Sequence, residues 1–318
     1  MFEQVIEEIN RCESIAISFH VSPDGDAVGS SLALMNGLRK LGKKVNILCR
    51  ESVPEILSFL PSAGEINKST GIEEGYFDCL IVLDCGNIDR INIDFEINGD
   101  REYRLLNLDH HASNDYYGDV NYVDTKYSAM GEIVYLLLME MGVEIDSDMA
   151  ICLYTSIMTD CGSFKYSNTT SLTHNIAGAL IDKKIDFPEI HRKIYENKKF
   201  ELVKLAGKLI EGMYLQCNNR LCIIEAMANV TESLGVDPAD VSDLVYIGTD
   251  IQGVEVVVFI KQNADKYKIS LRSKKYFDVR VLAEKYGGGG HAKAAGFSYT
   301  GDLEKLKQDL IKMIGDSL

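Results

Sequence analysis

The sequence predicts an α/β protein with two domains, and three observations support this. In the first half of the chain, short apolar runs alternate with segments of helical periodicity, a pattern typical of a mostly parallel sheet covered by helices. From Arg220 onward strand-like runs dominate, which indicates a smaller α/β domain. The length of 318 residues leaves room for two cores. We therefore expect an N-terminal domain over 1–186, a helical linker over 187–216 and a C-terminal domain over 217–318.

The elements of the N-terminal domain follow from the apolar runs and the helical patterns between them. Strands are expected over Ser14–His20, Val45–Cys49, Cys79–Asp84 and Arg104–Leu108. Helices are expected over Ala27–Leu41, Ser128–Met141, Ser147–Thr159 and Thr169–Lys183. Sheets of this kind bind ligands beyond the carboxyl ends of their strands, so functional residues should lie there.

The rest of the chain predicts a connector and a second sheet. A long, charged, amphipathic pattern over Pro188–Gln216 indicates a helix that joins the domains. Strands are expected over Leu221–Met227, Val254–Lys261 and Tyr267–Arg272, followed by a glycine run and a final helix over Leu303–Ile314.

Composition excludes several classes of protein. No apolar run reaches the roughly 18 residues of a membrane span, and the acidic start lacks the basic and apolar regions of a signal peptide. The eight cysteines are scattered without a CxxC pair, so we expect reduced thiols and a cytoplasmic protein. The net charge of −15 argues against general affinity for nucleic acid or anionic membranes. Residues 261–293 are the exception, with nine Lys or Arg against three acids, which indicates either a solvated face or a local anion site.

Acidic residues and histidines collect at the predicted strand ends. They lie in "FHVSPDGDAVGS", "LDCG", "LDHH" and "MTDCGSF", and the candidates are His20, Asp24, Asp26, Asp84, Asp109, His110, His111 and Asp160. Converging strand ends would crowd these groups, and divalent cations would relieve the repulsion. Carboxylate and imidazole ligands suit Mn²⁺, with Mg²⁺ or Co²⁺ as alternatives. The ligands are too many for one ion, and paired ions form a usual clamp for phosphoester hydrolysis.

Simpler interpretations apply to single members of this set. Asp26 stands ahead of a predicted helix and could serve only as its N-terminal cap. Asp160 alone could be a surface acid, and a lone histidine is usually structural. Agreement among four segments favours the metal site over these alternatives. A structural zinc site is disfavoured, because no cysteine quartet exists.

The glycine run "GGGGHAKAAG" at 287–296 predicts a binding loop. Successive glycines let the backbone approach a ligand, and their N–H groups can face an anion. His291 and the nearby Arg272 could add polar contacts. A flexible turn is the alternative, and the run is neither a Walker A loop nor a GxGxxG dinucleotide motif.

Together these segments resemble the DHH phosphoesterase superfamily, named for a triplet like Asp109-His110-His111. The resemblance extends over nearly the whole chain, since "SLRSK" and "GGGGHAKAAG" resemble its smaller C-terminal domain. The domain type, length and absence of added modules favour the stand-alone NrnA-type class of nanoRNases and pAp phosphatases. They argue against pyrophosphatases, RecJ-type exonucleases and membrane-bound phosphodiesterases.

The resemblance implies a role for each matching residue. One manganese ion would be held by His20, Asp24 and Asp84, and a second by Asp26, Asp84, His110 and Asp160, with Asp84 bridging. Asp109 would orient its neighbours, and His111 would face the scissile phosphate. The far phosphate of the substrate would be held from the C-terminal domain, across a cleft, by Arg272, Gly288, Gly289, Gly290 and His291.

The implied activity is that of a Mn²⁺-dependent phosphohydrolase. Its substrates would be very short single-stranded oligonucleotides, degraded to 5′-mononucleotides, and nucleoside bisphosphates such as 3′-phosphoadenosine 5′-phosphate (pAp). No membrane partner is expected, and a homodimer is compatible with the resemblance. The alternatives are a phosphodiesterase for cyclic di-AMP or linear pApA, and a nucleotide-binding module with an inactive site.

Overall fold

The chain divides into two compact units, Met1–Asn197 and Lys198–Leu318. A computed structural model describes residues 1–66, 77–93, 97 and 101–318, with the backbone alone at 238–240. None of the helices formed by these residues combines the length and the hydropathy of a membrane-spanning segment.

The first unit is built on a five-stranded, fully parallel sheet, which confirms the predicted fold class. Its strands are β1 (Ser14–Ser18), β2 (Lys44–Ile47), β3 (Cys79–Leu83), β4 (Arg104–Asp109) and β5 (Val120–Val123), in the order β2-β1-β3-β4-β5. Strands β3 and β4 are buried along almost their whole length, as expected for strands with both faces covered.

Helices cover one face of this sheet. They are α1 (Glu3–Arg11), α2 (Gly25–Lys40), α3 (Met130–Glu140), α4 (Ser147–Asp160), α5 (Ser171–Ile181) and α6 (Phe187–Tyr195), and all six contribute to the main apolar core. A smaller cluster, which includes Leu80, Val82 and Leu105, packs on the other face. Glycines let α4 approach α2, since a Cβ at Gly29 would lie 2.4 Å from the Cys152 carbonyl oxygen.

The parallel arrangement brings three strand ends to one edge of the sheet. Asp109 is the last residue of β4, and Asp84 follows β3 directly. His20 stands two residues beyond β1, where it forms an isolated bridge with Ile91. Helix α2 begins just after this point, and α4 ends at Asp160. The candidate residues of four separate segments therefore meet at the carboxyl edge.

The second unit holds a six-stranded mixed sheet. Its strands are β6 (Tyr214–Gln216), β7 (Leu221–Ala226), β8 (Val256–Asn263), β9 (Lys266–Ser273), β10 (Gly289–His291) and β11 (Ala294–Tyr299), in the order β10-β11-β9-β8-β7-β6. Its helices are α7 (Phe200–Gly212), α8 (Ala228–Ser233), α9 (Tyr246–Thr249), α10 (Arg280–Lys285) and α11 (Leu303–Gly315). Apolar clusters pack on both faces of the sheet.

The single connecting helix predicted over Pro188–Gln216 is wrong. Two helices, α6 and α7, occupy this range, and strand β6 follows them. The chain leaves helical geometry at Glu196, the residue that ends α6, and α7 begins only at Phe200. Each helix buries its own apolar stripe, Ile190 in the first unit and Leu205 in the second, so packing divides a pattern that looked continuous.

The loop conformation predicted for the glycine run is wrong at 289–291, which form strand β10 paired with β11, while the binding role of the run stays a prediction. The fold explains why three of the four residues at 287–290 are glycine. Gly287 has φ +73°, and together with Gly288 it closes α10 by hydrogen bonds to Glu284 and Ala283. A Cβ at Gly288 would lie 2.2 Å from the Gly296 carbonyl oxygen, and Gly290 has φ +140°.

Candidate metal centre

The first group at the carboxyl edge contains His20, Asp24 and Asp84. His20 Nε2 lies 3.4 Å from Asp84 Oδ2 and 3.8 Å from Asp24 Oδ2, and its Nδ1 contacts the Val21 carbonyl oxygen at 2.8 Å. Asp24 Oδ1 accepts the N–H groups of Asp26 and Ala27 and so caps α2. The cap is therefore Asp24 and not Asp26, and Asp24 Oδ2 faces the histidine.

The second group contains Asp26, His110 and Asp160. His110 Nε2 lies 3.5 Å from Asp26 Oδ2, 3.3 Å from Asp84 Oδ1 and 3.8 Å from Asp160 Oδ2. The other ring nitrogen of His110 contacts the Tyr127 carbonyl oxygen at 3.3 Å. One imidazole nitrogen thus faces three carboxylates that come from three different segments.

Asp84 stands between the two groups, with one oxygen toward each histidine. Its φ of +55° is in the left-handed region, which costs free energy for a residue with a side chain. Asp84 Oδ1 and His110 Nε2 are buried, and neither has a hydrogen-bond partner. Buried polar atoms without partners cost free energy. These two atoms are therefore better explained as ligands of a cation than as members of a closed hydrogen-bond network.

The electrostatics of the cluster agree with this fit. Burial lowers the pKa of His20 and of His110, but Asp84 and its neighbours outweigh it and raise these pKa values to about 9 and about 10. Burial and Asp84 raise the pKa of Asp26, and burial raises that of Asp160 to about 6. Bound protons thus offset the negative charge of the crowded carboxylates, and a divalent cation would take the place of these protons.

Asp26 is held by a set of donors that no pattern in the sequence indicates. Its two oxygens accept the N–H groups of Met130 at 2.7 Å and Gly131 at 3.1 Å, and the Ser156 hydroxyl donates to Oδ1. A Cβ at Gly131 would lie 2.1 Å from Ser156 Oγ, so glycine leaves room for this contact. The start of α3 and the middle of α4 therefore fix the orientation of one buried carboxylate.

Asp109 is buried at the centre of a second network. Its Oδ1 accepts the His110 N–H and lies 2.8 Å from His111 Nδ1, while its Oδ2 accepts the Asn114 amide at 2.6 Å. Asn107 in turn donates to Asn114 at 2.8 Å. Asp109 therefore orients the ring of His111, as carboxylates commonly do for imidazoles. Neither asparagine was predicted, although "ASND" directly follows the two histidines.

The predicted substrate residues of the second unit lie on neighbouring strands. Arg272 on β9 pairs with Ala294 on β11, and Ala294 pairs with His291 on β10. The Arg272 guanidinium lies 5.3 Å from the centre of the Tyr246 ring, and its Nε is buried without a hydrogen-bond partner. His291 and Gly289 are exposed. This part of the sheet therefore presents the positively charged Arg272 guanidinium and an exposed backbone at Gly289.

Comparison with known proteins identifies both parts of the chain. Residues 14–157 match the DHH family, N-terminal domain, and residues 222–317 match the DHHA1 domain. A protein of Bacillus subtilis named "Bifunctional oligoribonuclease and PAP phosphatase NrnA" is 32% identical over 98% of this chain and 97% of its own length. The protein of the same name from Thermus thermophilus is 29% identical over 96% of this chain and 90% of its own.

Solved structures share the fold. An exopolyphosphatase-related protein from Bacteroides fragilis superposes with a TM-score of 0.92 at 27% identity, covering 99% of this chain and 96% of that one. RecJ of Thermus thermophilus, solved with Mn²⁺, has a TM-score of 0.55 at 13% identity and is covered over 54% of its length, which shows a similarity of fold alone.

Proposed function

This chain belongs to the DHH family and is a hydrolytic phosphoesterase, and on that premise we propose that it degrades very short oligonucleotides to 5′-mononucleotides and dephosphorylates pAp. The bifunctional names of its Bacillus and Thermus relatives support both activities. The observation that carries the proposal is Asp84, whose two oxygens address two separate histidine-carboxylate groups.

We propose that two divalent ions, most simply Mn²⁺, bind in these groups. His20, Asp24 and Asp84 would hold one ion, and Asp26, Asp84, His110 and Asp160 the other. When bound, the ions would supply Lewis acidity and a water of lowered pKa for attack on phosphorus. Four carboxylates balance two such ions in charge, so the loaded cluster would be near neutral.

His111 is proposed to act on the substrate itself. Burial lowers the pKa of His111, but the hydrogen bond from Nδ1 to Asp109 and the charge of Asp84 outweigh it and raise this pKa, so the ring would carry a proton on both nitrogens and its Nε2–H would donate to a phosphoryl oxygen. A positioned imidazole of this kind stabilises negative charge that develops during displacement at phosphorus. Asp109 is a positioning residue in this scheme, because its carboxylate contacts His111.

The second unit is proposed to bind a part of the substrate that is not hydrolysed. Arg272 offers a guanidinium suited to phosphate, and its stacking on Tyr246 limits its freedom of movement. Gly289 and His291 present exposed backbone and an imidazole on the neighbouring strand. Gly288 and Gly290 are proposed to contribute mainly by allowing β10 to lie close to β11.

The test is a turnover panel with Mn²⁺ present. Purified protein is given pAp, di- to pentanucleotides, linear pApA, cyclic di-AMP and pyrophosphate. Hydrolysis of pAp and of the short oligonucleotides is expected, and inactivity toward both would refute the proposal. Preferred turnover of cyclic di-AMP or pApA would favour the alternative phosphodiesterase.

A charge-matched pair of variants tests the site. Asp84→Asn keeps the shape of the side chain, and asparagine tolerates a positive φ, so the fold should survive while turnover falls by at least about a thousandfold. Asp148→Asn removes an exposed acid from the first turn of α4 and should change turnover less than twofold. Full activity of the Asp84 variant would rule out the proposed bridging role.

A further inference from the structure

The turn between β1 and α2 carries two of the residues that are proposed to hold the first ion. His20 begins this turn, and Asp24 ends it where it caps α2. The facing atoms of the pair, His20 Nε2 and Asp24 Oδ2, lie 3.8 Å apart, which is beyond hydrogen-bond distance. Their separation is therefore set by the backbone of the turn rather than by a hydrogen bond between them.

The middle of the turn has a strained backbone. Ser22 has φ +59°, in the left-handed region, which costs free energy for a residue with a side chain. Such a conformation persists only where the surrounding structure holds it. Glu51, four residues beyond the end of β2, supplies one such contact, because its Oε2 accepts the Ser22 N–H group. A carboxylate accepts a stronger hydrogen bond than a neutral oxygen does, so Glu51 is suited to anchor this residue.

Asn92 connects Glu51 to the histidine end of the turn. The asparagine is 0% exposed, and its Nδ2 donates at 3.4 Å to both the His20 carbonyl oxygen and Glu51 Oε2. Its Oδ1 accepts the N–H groups of Arg50 and Glu51, each at 3.1 Å. One buried amide therefore fixes the backbone that carries Glu51 relative to the backbone that carries His20.

The second group of proposed ligands has supports of its own. Its carboxylate Asp26 is oriented by the start of α3 and by the Ser156 hydroxyl. Its imidazole, His110, follows β4 and contacts the Tyr127 carbonyl oxygen. A disturbance of the turn at 20–24 should therefore affect the first group and leave the second in place.

We propose that Glu51 is a positioning residue for the first ion, which holds the turn at 20–24 so that His20 and Asp24 can bind the same ion. This inference rests on the proposed two-ion site and adds to it a residue outside the ligand set. Removal of a partner that orients a metal ligand typically lowers metal affinity about 10- to 100-fold. The hydrogen bond to Ser22 is exposed to solvent, so we expect the lower end of that range.

The experiment is calorimetric titration of Mn²⁺ into the metal-free protein, in which two ions should bind. Asp24→Asn and Asp160→Asn each remove one proposed ligand, so they identify the binding step that belongs to each ion. Asparagine also caps helices, and α2 should therefore survive the first change. Glu51→Ala should weaken the step assigned by Asp24→Asn about tenfold, and should change the step assigned by Asp160→Asn by less than about twofold.

Two further variants accompany Glu51→Ala. Glu51→Gln keeps the length of the side chain and an acceptor oxygen but loses the charge, so it should weaken the same step by a smaller factor. It carries the test if the alanine variant does not fold. Glu55→Ala removes an exposed acid four residues further along the chain and should bind both ions as wild type does.

Selective weakening of the first step supports the inference, and every other pattern overturns it. Such patterns are equal weakening of both steps, no weakening in either Glu51 variant, an equal effect of Glu55→Ala, and a wild-type protein that binds no Mn²⁺. The titration contains no substrate, so it is independent of turnover. If the first step weakens as expected but wild type hydrolyses neither pAp nor short oligonucleotides, the proposed function fails and the role of Glu51 stands. Turnover by wild type together with unchanged Mn²⁺ affinity in the Glu51 variants would give the opposite result.

Discussion

Removal of the Ser156 hydroxyl should weaken metal binding without unfolding the first unit. Asp26 is 1% exposed, and Ser156 is one of three donors that orient its carboxylate, with the N–H groups of Met130 and Gly131. A hydrogen bond to a charged group contributes about 1.5–3 kcal/mol. This hydrogen bond holds the Asp26 carboxylate in the orientation in which it would bind the ion. If Mn²⁺ binding loses most of this free energy with the hydroxyl, Ser156→Ala should lower Mn²⁺ affinity about 10- to 100-fold.

The assay is calorimetric titration of Mn²⁺ into the metal-free protein. The Mn²⁺ concentration that gives half-maximal activity is measured in parallel. Thr155→Val is the matched control, because Thr155 is equally buried on α4 but its hydroxyl donates to Ile151 within the helix. The control should bind Mn²⁺ as wild type does. Unchanged Mn²⁺ affinity in Ser156→Ala would refute the reasoning, and so would an equal loss in both variants.

Three further predictions concern charge and protonation. Asp109→Asn should lower kcat about 10- to 100-fold with little change in KM, because an amide has no negative charge and only one acceptor oxygen, so its NH2 group would meet a donor at either His111 or Asn114; a KM effect alone would contradict this role. Mn²⁺ binding at pH 7 should release protons, since the pKa values of His20 and His110 are raised to about 9 and about 10. Affinity should therefore increase from pH 6 to 9, and calorimetry in buffers of different ionisation enthalpy measures the release. Burial raises the pKa of Glu255, but three backbone N–H groups bond to its carboxylate and lower this pKa below the usual 4.5. The ionised side chain therefore stabilises the fold above pH 4.5, and this stabilisation is lost as the pH falls through the folded-state pKa. Glu255→Gln should cost about 1–2 kcal/mol of unfolding free energy at pH 7 and progressively less in acid, which urea titrations at both pH values will test.

Local pattern was sufficient to predict most of the first unit. The runs at 79–84 and 104–108 are strands, and helices occupy the regions in which they were expected, with ends that differ by a few residues. Periodicity succeeds here because each element repeats its own burial pattern over neighbouring residues. It failed at 187–216, where one amphipathic pattern contributes to two different cores and packing divides it.

The candidate site was also predictable in part. Strand ends of a parallel sheet meet at one edge, so acids and histidines after separate strands had to approach one another. Asn114 and Ser156 were not predicted, because no local pattern distinguishes a polar residue that reaches a buried carboxylate from one that faces water. Ser156 lies 130 positions from Asp26 in sequence, and only the packing of α4 against α2 and α3 brings them together.

The sequence by itself determined the family, the class of fold and the residue types at the candidate metal centre. These follow from short segments whose chemistry is present in their own residues, such as the Asp-His-His triplet. Tertiary structure decided which oxygen faces which imidazole, and that Asp84 stands between the two groups. It also decided that three of four successive glycines serve the packing of β10 against β11 and the end of α10. The physical reason is that steric room and hydrogen-bond pairing depend on atoms from distant segments, which meet only when the chain folds.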